Sequence, residues 1–499
     1  MARGSERFAV GLLAAATLVL RALAFFRYRF DSDEPQHLHV AWGWTAGLVQ
    51  YRDYFDNHAP LFHMLTAPLL AALGERADVL LWMRAPMLAL WLVVTAATFL
   101  LARRFGGRAV WTILLLNALP PFFLKSLEYR TDNLWLALWM LALVVLVTPN
   151  PSPWRAALGG LILGAALATS MKTMLLIVTL LGAALLSGRR RIPWPAVAAF
   201  PIVPAILAAY FVHLNAWKNL VYCVITFNEL VKVSHLALRV AVYLVLLAAM
   251  VVWRRRLSFA MAGVIVFTAT VVCFWSLITP RDFLPIFPVL AILLAARAPK
   301  WTMAAAAAIM LASLYYYAER FEDRTDEHIT MMNQVLHLTR PGEPLMDLKG
   351  ETIYRQRPYY FIFEAITREA IDRGLIADTI PEDLVRARCY VVQANGPFFP
   401  ERGARFMDAH YVDLGRLRAA GAWIGGYDEF EIAIPGSYVM LAESGEVRGL
   451  LDGTPYTGAR ELAAGEHHFL PEKKERLAAL WAPAFQRGFS PFHHRDKDF

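Results

Sequence analysis

The sequence predicts a polytopic α-helical membrane protein whose last third forms a separate α/β or β-rich domain. Of its 499 residues, 58% are hydrophobic and only 18% are charged, whereas soluble domains carry about 25% charged residues. Long apolar segments alternate with short charged loops up to residue 318, and the composition of a soluble domain begins at Glu319. Ahead of that boundary most of the positive charge lies in the loops, as membrane topology requires, so the net charge of +8 does not indicate nucleic-acid binding.

Eleven apolar segments are long enough, or nearly long enough, to cross a bilayer, which takes about 20 helical residues. They span residues 8–26, 84–102, 109–124, 134–148, 156–170, 173–187, 195–212, 237–253, 258–277, 283–296 and 301–317. The first segment has the length of a span and lacks a small-residue cleavage site, so we interpret it as a span and not as a signal peptide. Arg21 lies near its outer end and is expected to snorkel to the interface. The two short segments around Ser170–Lys172 could instead form one bent hairpin, which leaves the exact count open there.

The distribution of charge predicts which ends of these segments face the cytoplasm. Alternate loops carry clusters of Arg and Lys, such as Arg189–Arg191 and Arg254–Arg256, and their single acid is Glu6. The other loops hold nearly all the acids of the membrane part. Since positively charged loops stay in the cytoplasm, the N-terminus is predicted to be cytoplasmic. An odd number of spans then puts the C-terminal domain on the periplasmic or extracellular side.

The loop after the first span, residues 30–65, is unusually acidic and aromatic. Its carboxylates belong to Asp31, Asp33, Glu34, Asp53 and Asp56. Pro35 favours a helix that starts at Asp33, and Asp33 with Gln36 is close to a capping box. Asp56-Asn57 predicts the start of a second helix that runs to Gly74. Two short amphipathic helices at the membrane surface would hold the carboxylates at the edge of the bilayer, where a lipid-borne headgroup can be met.

This loop resembles the first outer loop of the GT-C glycosyltransferases. The matching residues are Asp33, Glu34, Tyr54, Phe55, His58, Pro60 and Leu61. More narrowly, they resemble the bacterial branch related to protein O-mannosyltransferases and aminoarabinose transferases, which use polyprenyl-phosphate sugars. Ordered motifs of this family run from residue 8 to about 296, and the C-terminal domain matches only loosely.

The resemblance implies a GT-C fold in the bacterial plasma (inner) membrane. The implied activity is transfer of a sugar, with inversion, from a polyprenyl-phosphate carrier to an extracytoplasmic acceptor: lipid A, a protein or a cell-envelope glycan. Membrane lipids are the other expected partners. The alternative from another class is a polytopic transporter or a lipid-linked glycan flippase. Such a protein would need paired, interrupted spans and charges inside the bilayer, whereas the charges here lie at loop edges.

Two acidic segments are candidates for the catalytic chemistry. Inverting transfer needs a carboxylate that takes the proton from the attacking acceptor hydroxyl, and the resemblance implies this role for Asp33, with Glu34 beside it. Family members also carry an acid in the second outer loop, where Asp132 matches best and Glu128 less well. The alternative there is an N-cap for the next helix by Thr131 or Asp132. Arg130 could pair with either carboxylate of this segment, and Glu128, Arg130 and Tyr54 are the further candidates to line the cavity.

Three basic residues are candidates for binding the phosphate of the donor. The ammonium group of Lys172, between two short apolar segments, is costly unless it meets an anion or water, although an interface lysine would satisfy the same pattern. Family members commonly have Thr-Lys-Gly here, and this chain keeps the Lys without the Gly. Arg281 begins a stretch that resembles the family's Arg-Tyr-Leu-Pro, with Asp282 inserted, and its guanidinium can bind phosphate through two bonds. The alternative is a surface pair of Arg281 with Asp282 or Asp132. His58 occupies the place of a basic residue that contacts the donor phosphate in relatives.

A metal ion stays an open question at the level of sequence. Asp31-Ser32-Asp33 imitates the DxD motif of GT-C enzymes that use a divalent cation, and a divalent cation is the one possible cofactor. His37, His39, His58 and His63 are further candidates, although isolated interfacial histidines are commoner than metal ligands. The cysteines are Cys223, Cys273 and Cys389, and they follow no metal-binding or disulfide spacing. A lone Cys223–Cys389 bridge is the one disulfide left open.

Three domains are predicted: a transmembrane catalytic domain over residues 1–318, an outer mixed α/β domain over 319–470, and a polar tail over 471–499. Strand-like runs lie at residues 388–393, 429–434 and 438–441, and a helical run lies at 361–373. Short strands broken by Asp452-Gly453 and Ala464-Gly465 predict a small β-sandwich or hairpin stack at the end of this domain. The tail is expected to be disordered or loosely packed.

Overall fold

A computed structural model describes residues 3–148, 151–188, 193–230, 235–253, 257–275, 278–393, 399–425, 428–473 and 475–493. The chain divides into two compact units. The first contains Met1–His37, Asn57–Leu69 and Leu80–Thr325, and the second contains Leu38–Asp56, Leu70–Val79 and Asp326–Phe499. The predicted domains were continuous in sequence, whereas the second unit includes two pieces of the stretch between the first two predicted spans.

Helices occupy all eleven predicted apolar segments. The helices before residue 318 are α1 Arg3–Arg27, α2 Asp33–Thr45, α3 Leu61–Leu73, α4 Val79–Met83, α5 Ala85–Arg104, α6 Ala109–Ala118, α7 Pro120–Lys125, α8 Thr131–Leu146, α9 Pro153–Thr169, α10 Thr173–Leu186, α11 Trp194–Ala199, α12 Ile202–His213, α13 Trp217–Val221, α14 Leu236–Trp253, α15 Phe259–Phe274, α16 Phe287–Arg297 and α17 Lys300–Tyr317. Short 3-10 or π turns cover Tyr222–Thr226, Phe227–Glu229, Pro280–Ile286 and Glu319–Phe321. The segments around Ser170–Lys172 form two separate helices, α9 and α10.

Among the described residues, four helical stretches are long and apolar enough to cross a membrane alone. They are Gly4–Arg27, Val79–Arg104, Trp194–His213 and Leu236–Trp253. The predicted helical membrane protein with a C-terminal sheet domain is therefore confirmed, while the count of eleven crossings stays a prediction. Two of the basic clusters used to predict the orientation, Arg189–Arg191 and Arg254–Arg256, lie outside the described residues.

The helices of the first unit pack closely at two glycines of α9. A Cβ atom on Gly160 would lie 2.1 Å from the carbonyl oxygen of Ala196, and one on Gly164 would lie 2.2 Å from that of Phe200. Small residues four positions apart let helix backbones approach in a membrane, where apolar side chains gain little by leaving lipid. The α9–α11 contact therefore depends on backbone proximity.

Arg21 on α1 does not snorkel, so that prediction was wrong. Its side chain is buried, and its guanidinium carbon lies 4.4 Å from the ring centre of Trp91 and 4.7 Å from that of Phe123. One guanidinium nitrogen donates to the Ser126 hydroxyl at 3.1 Å. Aromatic faces attract a desolvated cation, which explains how this charge is accommodated inside the helical unit.

The second unit is built around β-sheets. Its strands are β1 Leu345–Met346, β2 Val391–Gln393, β3 Tyr411–Asp413, β4 Leu417–Ile424, β5 Glu429–Ile432, β6 Gly436–Ala442, β7 Gly445–Glu446, β8 Gly449–Leu451, β9 Thr454–Tyr456, β10 Arg460–Leu462, β11 Gly465–Pro471 and β12 Leu477–Trp481. Its further helices are α18 Asp326–Leu338, α19 Ala365–Asp372, α20 Ile380–Arg386, α21 Glu401–His410 and α22 Ala482–Gln486. Within the described residues one sheet has the order β1-β2-β4-β12-β6-β10, with β3 on β4 and β7 on β6, and a four-stranded sheet has the order β5-β11-β8-β9. Only β1 and β2 among these strands pair in parallel.

The two early pieces of the second unit, Leu38–Asp56 and Leu70–Val79, bind its later part through polar contacts. The Nδ1 atom of His39 lies 2.8 Å from the carbonyl oxygen of Ile353. The buried guanidinium of Arg355 lies 2.9 Å from the Glu75 carboxylate, and the hydroxyl of Tyr354 donates to the carbonyl of Gly74 at 3.1 Å. These bonds connect residues that are far apart in the sequence. The local sequence pattern therefore could not assign the two early pieces to this unit.

The described residues after Pro471 include a strand and a short helix, whereas the sequence predicts a disordered or loosely packed tail. Strand β12 pairs with β4 on one side and with β6 on the other. All five of its residues are buried. A short strand that is buried on both faces lacks the alternation of apolar and polar residues that marks a half-exposed strand. The sequence pattern therefore did not predict β12 within this polar stretch. All three cysteines are buried and free, and the Cys223–Cys389 bridge that the sequence left open is not formed.

Candidate functional site

Helix α2 begins with a cap formed by Asp31 and Glu34. The backbone N–H of Asp31 donates to Oε1 of Glu34 at 2.8 Å, and Oδ1 of Asp31 accepts the backbone N–H of Asp33 at 3.2 Å. Side-chain acceptors at this position satisfy the unpaired N–H groups of a helix start. The cap therefore lies two residues before the predicted Asp33–Gln36 box, and the Asp33 side chain points to other partners.

Glu34 forms an ion pair with Arg84 that is completely buried. The Nη2 and Nε atoms of Arg84 lie 2.6 and 2.9 Å from the two carboxylate oxygens, and neither side chain is exposed. Arg84 also donates to the carbonyls of Tyr28 and Arg29, each at 2.8 Å. The backbone N–H of Tyr129 donates to Oε2 of Glu34 at 2.8 Å. The pair thereby joins the end of α1, the start of α2 and the loop before α8.

Arg130 connects three of the outer carboxylates. Its Nη1 lies 2.9 Å from Oδ1 of Asp31 and also contacts Oδ2 of Asp33. Its Nε donates to Asp132 at 3.2 Å. Helix α8 starts immediately after Arg130 without a side-chain cap, so the alternative that Thr131 or Asp132 caps this helix is not observed.

Arg281 and Lys172 occupy the other side of the same cluster. Arg281, in the 3-10 turn Pro280–Ile286, contacts Asp31 and lies 3.2 Å from Glu128. The Nζ of Lys172, just before α10, lies 3.2 Å from Asp132 and 2.7 Å from Asp282. Neither residue is therefore an isolated cation at the interface. Arg281 forms ion pairs with Asp31 and Glu128, and not with Asp282 or Asp132 as the alternative suggested.

Two residues of the cluster were not predicted for it. Asp282, which the sequence showed as an insertion and as an alternative surface partner of Arg281, accepts the backbone N–H of Thr279 at 2.7 Å and so fixes the turn that carries Arg281. Lys125 lies 2.5 Å from Glu128 and 3.7 Å from Asp31. A lysine three residues before a glutamate at the end of an apolar segment was a usable signal for this pair.

The carboxylates of the cluster differ in exposure. Asp33 has 27% of its side chain exposed, compared with 11% for Asp31 and 6% for Asp132. Glu128 and Asp282 are almost completely buried. Asp33 is therefore the most accessible acid among the described members of the cluster.

The surroundings shift the pKa values of two loop carboxyls in opposite directions. Burial raises the pKa of Glu128, and the nearby Asp31 charge raises it further. Burial also raises the pKa of Asp31, but Arg130 and Arg281 outweigh it and hold that pKa below its ordinary value. Arg281 contacts both acids, yet their pKa values differ. As the pH falls, Glu128 is protonated before Asp31.

The remaining predicted residues lie in two places. Tyr54 belongs to the second unit, where its hydroxyl donates to the carbonyl of Val40 at 3.1 Å. His58 lies in the first unit, with its ring centre 4.5 Å from that of His37, and Nδ1 of His37 lies 3.0 Å from Nε2 of His63. Burial lowers the pKa of His37 well below its ordinary value, and His58 lowers it further. His39, in contrast, is part of the second unit.

The geometry does not support the suggested metal ligands. Asp31 and Asp33 both contact Arg130, so a divalent cation bound between them would have to displace a guanidinium. In the part of the chain that the structure describes, no three His, Cys, Asp or Glu side chains are arranged to hold a metal ion.

Comparisons with known proteins give a fold and no family. The sequence matches no family model and no curated protein. Among solved structures, the chain is similar to the crystal structure of ArnT from Cupriavidus metallidurans bound to undecaprenyl phosphate. The TM-score is 0.54 at 15% sequence identity, and the match covers 84% of this chain and 98% of the other. This likeness shows a shared fold.

Replacing Arg84 by Ala should destabilise the protein strongly. The change leaves the Glu34 carboxylate buried and uncompensated, which costs about 3–5 kcal/mol. The matched control is Arg52→Ala, which removes an exposed pair with Asp53 and should cost less than about 1 kcal/mol. Thermal unfolding of the purified variants in detergent compares the two, and equal midpoints for both variants would contradict the importance of the buried pair.

Proposed function

We propose that this chain is a membrane glycosyltransferase of the GT-C type, which transfers a sugar from a polyprenyl-phosphate carrier to a hydroxyl group outside the cytoplasm. The observation that carries the proposal is the cluster in which Asp33, the most exposed acid, lies beside Arg130 and Arg281. The fold likeness to ArnT supports it, because that protein was crystallised with undecaprenyl phosphate. The acceptor would be lipid A, a protein or a cell-envelope glycan.

In the proposed reaction the acceptor oxygen attacks the anomeric carbon from the side opposite the phosphate. The bond from that carbon to the phosphate oxygen breaks, its electron pair stays on the phosphate, and the acceptor proton passes to Asp33. Inversion follows from attack on the opposite side. Asp33 suits the role of base because its side chain is the most exposed among the described acids of the cluster and can meet a substrate.

Asp132 and Glu34 are better suited to positioning than to proton transfer. Asp132 holds Arg130 and Lys172 through separate oxygens. Glu34 is fully buried, and both of its oxygens accept bonds that join three segments of the chain. We therefore revise the predicted catalytic set and keep Asp33 as the base.

Lys172 and Arg281 are the proposed ligands of the donor phosphate. Both are held in place by carboxylates before any ligand arrives, and 21% and 14% of their side chains remain exposed. Fixed cations stabilise a developing phosphate charge without reorganising during the reaction. A protonated Glu128 would leave the charge of Arg281 less compensated and so favour the anion. His58 remains a candidate for the same phosphate from the resemblance alone.

A transporter or flippase fits the cluster less well. Such proteins bind ligands near the middle of the membrane at paired, interrupted helices. The acids and bases here lie in loops, in the turn Pro280–Ile286 and at the ends of helices, as expected for chemistry at a membrane surface.

The orientation is proposed from charge, with the N-terminus in the cytoplasm and the cluster on the opposite side. A reporter fused after Arg320 should then be active outside the cytoplasm, and one fused after Gly188 should be active inside. The reverse pattern would put the cluster in the cytoplasm and contradict an extracytoplasmic acceptor.

Asp33→Asn should lower sugar transfer by about 100-fold or more, the usual scale for loss of a general base. The control is Asp53→Asn, another first-loop acid, which pairs with Arg52 outside the cluster. Each variant is expressed in a deletion strain, and the envelope glycolipids and glycoproteins are compared by mass spectrometry. The product lost on deletion should return with the parent and with Asp53→Asn. Its full return with Asp33→Asn would remove Asp33 from the mechanism.

Lys172→Ala and Arg281→Ala should each weaken polyprenyl-phosphate binding by about 10–100-fold, because one bond to a charged group is worth about 1.5–3 kcal/mol. Lys172→Arg should recover part of the binding, and Arg281→Lys should recover less since the two-pronged contact is lost. Lys218→Ala, an exposed lysine on α13, is the control. If both alanine variants bind the lipid phosphate as tightly as this control, the donor phosphate binds elsewhere.

A further inference from the structure

A second cationic region lies at the opposite end of α1 from the carboxylate cluster. Helix α1 has 25 residues and is therefore about 37 Å long. At its beginning a cavity of about 530 Å³ opens between α1, α6 and α17. The side chains that define it are those of Glu6, Arg7, Val10, Arg108, Trp111 and Lys300. All of them belong to the first unit.

Glu6 connects the residues that line this cavity. Its two carboxylate oxygens accept from Lys300 at 2.5 Å and from the indole N–H of Trp111 at 3.1 Å. Arg108 donates to the carbonyl of Ala298 at 2.7 Å. These bonds join the beginnings of the three helices, so the cavity is a defined feature of the fold.

The charge in the cavity is not balanced. Arg7, Arg108 and Lys300 contribute three positive charges, and Glu6 contributes one negative charge. No acidic side chain of the described residues forms an ion pair with Arg7 or Arg108. Helices α6 and α17 also begin here, and the first N–H groups of a helix add partial positive charge. The cavity therefore has the electrostatics of an anion site.

Apolar surface surrounds these cations. Val10 and Val110 line the cavity itself, and Val110 is 46% exposed. Phe8, next to Arg7, is 73% exposed, and Trp301, next to Lys300, is 65% exposed. An exposed Trp at the end of an apolar helix is typical of the level of the lipid headgroups. An anion that carries hydrocarbon chains matches this combination better than a free ion does.

We propose that this cavity binds the phosphate of an anionic phospholipid, whose acyl chains lie against the neighbouring apolar surface. The bound lipid bridges α1, α6 and α17 and stabilises this end of the first unit. The site is separate from the proposed sugar transfer, and its lipid is not the donor. Basic residues at an anionic membrane surface contribute about 1 kcal/mol each, which corresponds to about a fivefold change in affinity.

The test uses the purified full-length protein in detergent, titrated with phosphatidylglycerol or phosphatidylcholine while thermal unfolding is followed. Phosphatidylglycerol should raise the unfolding midpoint of the parent more than phosphatidylcholine does. Arg7→Gln and Arg108→Gln should each raise the half-maximal phosphatidylglycerol concentration about fivefold. Arg108→Lys keeps the charge and should behave like the parent. Arg103→Gln, at the end of α5 beside Phe99 and outside the cavity, is the matched control and should have no effect.

Three outcomes would overturn the proposal. One is an unchanged phosphatidylglycerol response in both Arg7→Gln and Arg108→Gln. Another is an equal loss in Arg103→Gln, which would indicate general attraction to basic surface. The third is an equal stabilisation by soluble glycerol phosphate, which would indicate a site for a free phosphate group. Unfolding midpoints in phosphatidylcholine alone verify that each variant is folded, and Arg7→Gln, which breaks no described hydrogen bond, tests the proposal if Arg108→Gln is unstable.

Discussion

The buried ion pair of Glu34 and Arg84 determines how the charged cluster is assembled. A buried carboxylate is stable only when its charge and its hydrogen-bonding capacity are satisfied. Glu34 meets this condition with Arg84 and with the backbone N–H groups of Asp31 and Tyr129. Arg84 in turn donates to the carbonyls of Tyr28 and Arg29, so the pair fixes the end of α1, the start of α2 and the loop before α8. Asp33 precedes Glu34 and Arg130 follows Tyr129, so the bond between Tyr129 and Glu34 brings Asp33 and Arg130 together.

The cluster that results is close to electrical balance. Its outer acids are Asp31, Asp33, Glu128, Asp132 and Asp282, and its outer bases are Lys125, Arg130, Lys172 and Arg281. Burial raises the pKa of Glu128, which makes this acid easier to protonate than an exposed glutamate. Such a network of paired charges keeps the cations oriented in a partly buried site, and in the proposed reaction an incoming phosphate would replace a carboxylate as their partner. The same property suits a site that binds a lipid phosphate and releases it again.

The sequence predicted the parts of the structure that depend on local pattern. Apolar length located the helices, and motif spacing identified Asp33, Arg130, Asp132, Lys172 and Arg281, which the structure brings into one network. The sequence did not predict that Asp31 caps α2, because the pattern around Asp33 fits a cap equally well. It also did not predict the buried pair of Glu34, because its partner Arg84 lies 50 residues away. The strand β12 and the aromatic partners of Arg21 were missed for the same reason, since each depends on contacts between distant segments. Arg84 did carry a signal, as an arginine inside an apolar segment requires a partner.

The most direct test is a structure of the purified protein with polyprenyl phosphate bound, determined by electron cryo-microscopy. The phosphate should lie within about 4 Å of the Lys172 ammonium and the Arg281 guanidinium, the range of an ion pair, on the side where Asp33 is exposed. The contacts of these cations with Asp282 and Asp31 should lengthen as the phosphate takes their place. A phosphate bound elsewhere, with those contacts unchanged, would contradict the proposed donor site.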